Sequence, residues 1–419
     1  MQLSQSKPVR AALGAAACAL LGVQAARAEQ GWEIDSAVLF YSEPDRVTAV
    51  EPVVNARKEI RDDEFLNLKL TLDTLTGASA NGATASNTVQ TFTRPSGRGS
   101  YTTQPGETPL DDTFRDTRVA LSANWDRPLN RLMRSTLGAN VSKEYDYTSL
   151  GVSGQLSRDF NDRNTTLSAG VAVASDTIEP EGGIPTAFAS MVAAGAQQPR
   201  DGTSDDKTTL DLLLGATQVL GKNTVAQLNL SYSQSEGYHT DPFKLLSVVA
   251  ADSGSTLDYV YENRPDSRRK TSLYAGLKHS LGDDVVNAAY RYYTDDWGLD
   301  SHTLDLAYRW KFSERQYLQP RLRYYAQGAA DFYRHSLVAN AAIPEYATAD
   351  YRLGEFDATT LGLKYGYTLD NGSEFSIRAE YYLQGGDSHP ADAIGIQREQ
   401  DLFPDVDAYI LQANYRFRW

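Results

Sequence analysis

From residue 32 onward, apolar and polar residues alternate over segments of about ten residues, with turn-forming residues between the segments. Leu66, Leu68, Leu70 and Leu72 interleave with Asn67, Lys69, Thr71 and Asp73. Leu304, Leu306, Tyr308 and Trp310 alternate with Thr303, Asp305, Arg309 and Lys311, and Phe375, Ile377, Ala379 and Tyr381 with Ser376, Arg378, Glu380 and Tyr382. A period of two belongs to a strand with one apolar face. It predicts strands near 32–42, 46–58, 64–76, 113–125, 132–144, 148–159, 165–175, 207–219, 224–235, 268–281, 285–295, 301–311, 316–327, 355–368, 374–384 and 405–419. These are about sixteen, with fourteen to eighteen compatible because 46–60 alternates poorly and strand edges are soft.

The spacing between segments alternates too. Connections at 61–64, 126–131, 161–164, 221–223, 282–284, 313–315 and 370–373 are short, whereas 77–112, 176–206, 236–267, 328–354 and 385–404 are long. Alternating strands also build soluble sandwiches. An even count with short turns on one side and long loops on the other instead fits an all-β, antiparallel transmembrane barrel, with short periplasmic turns and long extracellular loops. Within the loops, 186–198 (TAFASMVAAGAQQ) and 242–251 (PFKLLSVVAA) each have the length of a short helix, too short to span a bilayer.

The first 28 residues read as a signal peptide: Lys7 and Arg10, an apolar run from Ala11 to Val23, then Ala26-Arg27-Ala28 as a small-x-small cleavage pattern. Cys18 lies inside the apolar run, where it does not mark a lipoprotein end. The barrel is then expected over 29–419, without cysteine. The net charge of −14 becomes −17 once Lys7, Arg10 and Arg27 are removed, which disfavours nucleic acid as a partner. Tyrosines number 25 against 13 phenylalanines, and tyrosine suits a membrane–water boundary.

The last segment sets Tyr409, Leu411, Ala413, Tyr415, Phe417 and Trp419 on one face and Gln412, Asn414, Arg416 and Arg418 on the other. A terminal strand ending in an aromatic resembles the signal read by outer-membrane barrel assembly machinery. The expected address is therefore the outer membrane of a Gram-negative cell, with its lipids and that machinery as partners, and with Trp419 pairing back to the first strand near Trp32.

The stretches DTLTGASANGA (73–83), HTDPFKLLSVV (239–249), YENRPDSRR (261–269), YRYYTDDWGLDSHTLDLAYRW (290–310) and PRLRYYAQGAADFY (320–333) are similar to an uncharacterised family of bacterial outer-membrane barrels, catalogued as a domain of unknown function. The resemblance implies the barrel and supplies no activity.

A barrel of this strand number has room for water inside. Alternation turns Arg291, Asp305, Arg309, Arg321, Arg323, Lys364, Arg378, Glu380 and Arg416 inward. They form either a wall that guides anionic solutes or an ion-paired brace, with Asp305 and Glu380 among the partners. The segment DDWGLDSH places Asp295, Asp296, Asp300 and His302 at a loop-side connection. His302 oriented by Asp300 would activate water there, a set similar in residue types to the rim of outer-membrane aspartyl proteases. Asp and Gly equally make a tight turn, with Trp297 as a girdle aromatic. The five histidines, His239, His279, His302, His335 and His389, lack metal-ligand spacing. Loop carboxylates such as Asp201, Asp205, Asp206, Asp241 and Asp111-Asp112 read as solvated surface. No metal and no cofactor is expected. Three functions remain open: a channel or envelope-system component serving a small solute or a periplasmic protein, a rim hydrolase, and a plugged docking barrel.

Overall fold

The computed structural model describes residues 31–419, so the leader expected at 1–28 lies outside the described residues. Sixteen antiparallel strands close into one barrel. They are β1 (Glu33–Ser42), β2 (Val47–Arg61), β3 (Glu64–Gly77), β4 (Arg115–Asn130), β5 (Met133–Lys143), β6 (Tyr147–Phe160), β7 (Thr165–Ile178) and β8 (Asp205–Gly221). The second half comprises β9 (Thr224–Gly237), β10 (Ser267–Leu281), β11 (Asp284–Asp295), β12 (Asp300–Lys311), β13 (Gln316–Gln327), β14 (Phe356–Thr368), β15 (Glu374–Gly386) and β16 (Val406–Arg418). Each segment expected from alternation is one barrel strand. The weakest, 46–58, is β2. Pro52 has no N–H to give, and the ladder to β3 is interrupted at Glu51 and Pro52, between the pairs Val50↔Thr74 and Val53↔Thr71.

Closure is made by β1 against β16, in register from Glu33↔Arg418 to Ser42↔Tyr409. No edge is left unpaired, the condition for strands in a medium that offers no hydrogen bonds. The outer face carries half-exposed Leu150, Val152, Leu156, Leu212, Leu214, Leu361 and Leu363, an apolar band that only lipid covers. Exposed aromatics ring both ends of the band: Tyr308, Trp310, Tyr365, Phe375 and Trp419 towards the short turns, and Tyr290, Tyr324 and Tyr409 towards the long loops.

The long loops fold onto one another as a cap. Leu245–Val249 is the central strand of a three-stranded sheet, flanked by Thr256–Tyr261 and Ser336–Val338. The stretch 242–251, which has the length of a short helix, is thus built around a strand. Its β-branched Val248 and Val249 favour one, and Leu246 and Ser247 are fully buried among Val260, Ala347 and Ala349. The stretch 186–198 forms no helix either: it turns, bridges Ser190 to Val260 and leaves Met191 against the core of Ala83, Phe92, Leu245 and Tyr261.

Trp297 is not a girdle aromatic. It is buried with Leu299, Ala330, Phe332 and Leu353, and its indole N–H donates to the Ser267 carbonyl at 2.8 Å. The turn folds inward under loop 328–355 rather than outward to lipid.

Candidate functional site

The inward positions divide into two unlike walls. On β11–β16, Arg321 lies between Asp305, on the adjacent strand β12, and Glu380, 3.0 Å away on β15. Arg378 stands 3.7 Å from Glu380 and hydrogen-bonds the Gln412 amide. Arg416 lies 3.8 Å from Asp35 across the closing seam. The remaining four cations, Arg291, Arg309, Arg323 and Lys364, have no carboxylate within ion-pair distance among the described residues. Arg309 stacks on the Tyr317 ring at 3.7 Å, with Lys364 at 5.8 Å from the same ring. The Tyr317 hydroxyl donates to Glu374 at 2.7 Å. Gly366 makes room for that ring, since a β-carbon there would fall 2.1 Å from it.

The facing wall, on β4–β9, is neutral and small: Asn124, Asn140, Ser153, Asn229 and Ser231 point inward. Gly138 and Gly151 clear space for the amides, because a β-carbon on either would lie 2.5 Å from Asn124 or Asn140 respectively. The guanidiniums here are neutralised, Arg118 by Asp73 at 3.3 Å and Arg134 by Asp63 at 2.6 Å. Sequence reasoning missed this wall. Its signal is the small polar set at alternate positions: Ser122 and Asn124, then Gly138, Asn140 and Ser142, then Ser149, Gly151, Ser153 and Ser157.

Linked cavities run along the inner surface. One of about 570 Å³ is lined by Asn229, Lys270, Tyr274 and Arg291. The next, about 550 Å³, shares Tyr274 and Arg291 and reaches Asp305 and Arg323. A third, about 340 Å³, shares Arg323 and adds Arg321, Thr360 and Glu380. Arg291 and Arg323 are therefore the joints of the series.

The loop-side set Asp295, Asp296, Asp300 and His302 is not brought together. The Asp295 side chain is fully buried, accepting from Arg268 (2.5 and 2.9 Å), the Tyr293 hydroxyl (2.8 Å) and the N–H groups of Trp297 and Leu299. All its acceptor positions are used to shape the turn. Asp296 caps the Arg269 N–H at 2.8 Å. Asp300 and His302, 3.9 Å apart and about half exposed, lie on the other face of the wall, where His302 meets the Tyr290 hydroxyl at 2.6 Å.

Asp241 belongs to no solvated surface. It pairs with Arg352 at 2.8 Å at the edge of a network, buried at Glu262, Arg264 and Asp350, that joins loops 238–266 and 328–355. Arg264 bridges Glu262 (2.5 Å) and Asp350 (2.9 Å), and Arg352 reaches Asp350 at 2.5 Å. Lys244 donates to the Ala80 carbonyl of a third loop. On β16, Tyr409, Leu411 and Trp419 are exposed outward, while Tyr415 and Phe417 stack at 5.2 Å. Among the described residues, no group of three His, Cys, Asp or Glu side chains is placed to hold a metal ion.

A closed sixteen-strand barrel with a lipid-type exterior and a polar, partly cationic interior defines the class: a β-barrel of the outer-membrane type. The chain belongs to the family described as Protein of unknown function (DUF3570), which matches residues 10–417. No curated protein matches the chain in sequence. Similar solved structures include the siderophore receptor PirA from Acinetobacter baumannii, at 11% identity and TM-score 0.43, covering 86% of this chain and 53% of PirA. CdiB from Acinetobacter baumannii is 9% identical with TM-score 0.47, covering 93% and 61% of the two chains. Pseudomonas aeruginosa OccK2 (OpdF), solved with glucuronate, is 9% identical with TM-score 0.41, covering 93% and 98%. The chain thus spans less than two thirds of PirA and of CdiB.

Proposed function

We propose that the protein is a channel of the Gram-negative outer membrane that passes small water-soluble solutes and favours anions. The observation that carries this reading is the run of Arg291, Arg309, Arg323 and Lys364, unneutralised on one wall, two of them joining the cavities along the interior. Four lumen-side cations left without carboxylates among the described residues would be costly in a sealed core and are stable in water, so the arrangement fits a wetted conduit. The brace reading accounts for Arg321, Arg378 and Arg416, which are paired, and leaves these four without a role. The outward aromatics of β16 fit recognition by the barrel assembly machinery during insertion. The test is single-channel conductance of the purified protein in a planar bilayer under a potassium chloride gradient. A reversal potential on the chloride side is expected, and an absent or cation-selective current overturns the reading.

The folded cap favours a second reading, a docking barrel whose loops hold a partner. It predicts no conductance in the same bilayer and a stoichiometric partner retained in detergent.

A further inference from the structure

At the loop end, one cavity of about 620 Å³ stands before the series described above and opens into it at Lys270, which lines both. Its volume is that of an ordinary small-molecule site. Its two sides carry opposite charge.

The acidic side is built from Asp116 at the start of β4, Glu144 and Asp146 in the connection between β5 and β6, and Glu181. Asp116, Asp146 and Glu181 have no cation within ion-pair distance among the described residues, and Glu144 reaches only Arg118, at 3.9 Å. One Asp116 carboxylate oxygen is buried with no hydrogen-bond partner among the described residues. The basic side gathers Lys207, Arg268 and Lys270 around His239. Lys207 is answered by Asp176 at 3.3 Å and Arg268 by Asp295 at 2.5 Å. Lys270 is left free, with no ion pair among the described residues. Aromatic groups floor the space between: Tyr147 beneath Lys207 at 5.3 Å, Trp297 against Arg268 at 4.2 Å, and Tyr238, whose hydroxyl is buried without a partner among the described residues.

An uncharged solute leaves Lys270, Asp116, Asp146 and Glu181 unanswered. A plain anion satisfies Lys270 and is repelled by three carboxylates; a plain cation meets the converse. Only a solute with both charges satisfies both sides, and unsatisfied buried polar atoms are where binding free energy is gained. The passage beyond Lys270 is cationic, through Arg291 and Arg323, so a solute drawn onward carries more negative charge than positive. We infer that this vestibule binds a small organic anion bearing one ammonium group and two carboxylates, the ammonium toward Asp116 and Asp146 and a carboxylate toward Lys270. The inference deepens the channel reading, but binding itself is independent of conduction.

The test is calorimetric titration of the full-length protein in detergent with L-glutamate, with glutarate, which lacks the ammonium, and with γ-aminobutyrate, which lacks the second carboxylate. Glutamate is expected to bind at least tenfold more tightly than either. The double variant Asp116→Asn/Asp146→Asn should lose that preference while keeping the heat-modifiable migration of a folded barrel, and Lys270→Gln should weaken glutamate and glutarate together. Equal affinities for the three probes overturn the inference, as does an unchanged preference in the folded double variant. Chloride conductance measured on the same preparation separates the two ideas: current without glutamate preference removes only the vestibule site, and glutamate preference without current removes only the channel.

Discussion

The N–H of Trp32 donates to the carbonyl of Trp419 at 2.7 Å, and the N–H of Trp419 returns a bond to the carbonyl of Trp32 at 2.8 Å. This reciprocal pair is the last rung of the β1–β16 seam, so the final residues complete a ladder that began with the first described ones. A chain truncated before Tyr409 removes every β1 partner from Ser42 to Glu33. Such a chain should lose heat-modifiable migration and vanish from the outer-membrane fraction; a truncated protein that still migrates as folded ends the closure argument.

Trp297→Ala should open the cap and spare the barrel. The indole fills a site among Leu299, Ala330, Phe332 and Leu353, and its removal costs about 3–5 kcal/mol. Limited trypsin digestion should then cut within 328–355, as it does not in the parent, while the barrel stays folded. Trp297→Phe keeps most of the packing and should protect the loop.

Asp350→Asn removes the charge shared by Arg264 and Arg352, and a buried pair broken on one side costs about 3–5 kcal/mol. Burial alone would raise the Asp350 carboxyl, but Arg352, Lys244 and Arg264 outweigh it and hold it well below the ordinary carboxylate range. A lowered folded value gives stability that is complete above the unfolded value of 3.8 and is lost as pH falls through the folded one. Hydrogen exchange in loops 238–266 and 328–355 should therefore stay slow from neutral pH down to about 4, rising only in stronger acid. In Asp350→Asn it should be fast throughout.

Arg323→Glu should lower the chloride-to-potassium permeability ratio several-fold, and Lys364→Gln should lower it less. Reversal potentials in dilute salt read this directly. The effect should shrink near 1 M salt, where screening acts within about 3 Å.

Glu144 gives the vestibule a pH response. Burial and then neighbouring Asp116, against the opposing pull of Arg118 and with Asp146 adding to the rise, push its carboxyl up to about 7. It is neutral below that value and charged above it. His239 on the basic side is held below its usual value, chiefly by burial. Glutamate affinity should accordingly rise between pH 6 and 8, and Glu144→Gln should flatten the rise in a calorimetric series.

Alternation made the barrel legible because a wall with lipid outside and water inside repeats every second residue, and Leu304 to Trp310 or Phe375 to Tyr381 need no tertiary knowledge to be read. Arg321 and Glu380 were placed inward by the same rule. The cap was not legible. Arg264 finds Asp350, and Asn81 accepts from the Leu245 N–H, across long separations that no local period encodes. Trp297 shows the limit most sharply: an aromatic at a strand end suits a girdle, and only loop 328–355 folding over it makes it core. Asp295 and His302, seven residues apart, look like one cluster in sequence, yet the turn between them sends one inward and the other out.

The unlike walls have a further consequence. Sixteen tilted strands give a backbone cylinder roughly 30 Å across. At physiological ionic strength an exposed charge is screened within about 8 Å, so the field of Arg291, Arg323 and Lys364 dies away before it reaches Asn124 and Asn140. In the proposed channel the interior would thus offer two lanes side by side: one along β11–β15 for anions, and one along β4–β9 for water and neutral molecules that the guanidiniums do not see.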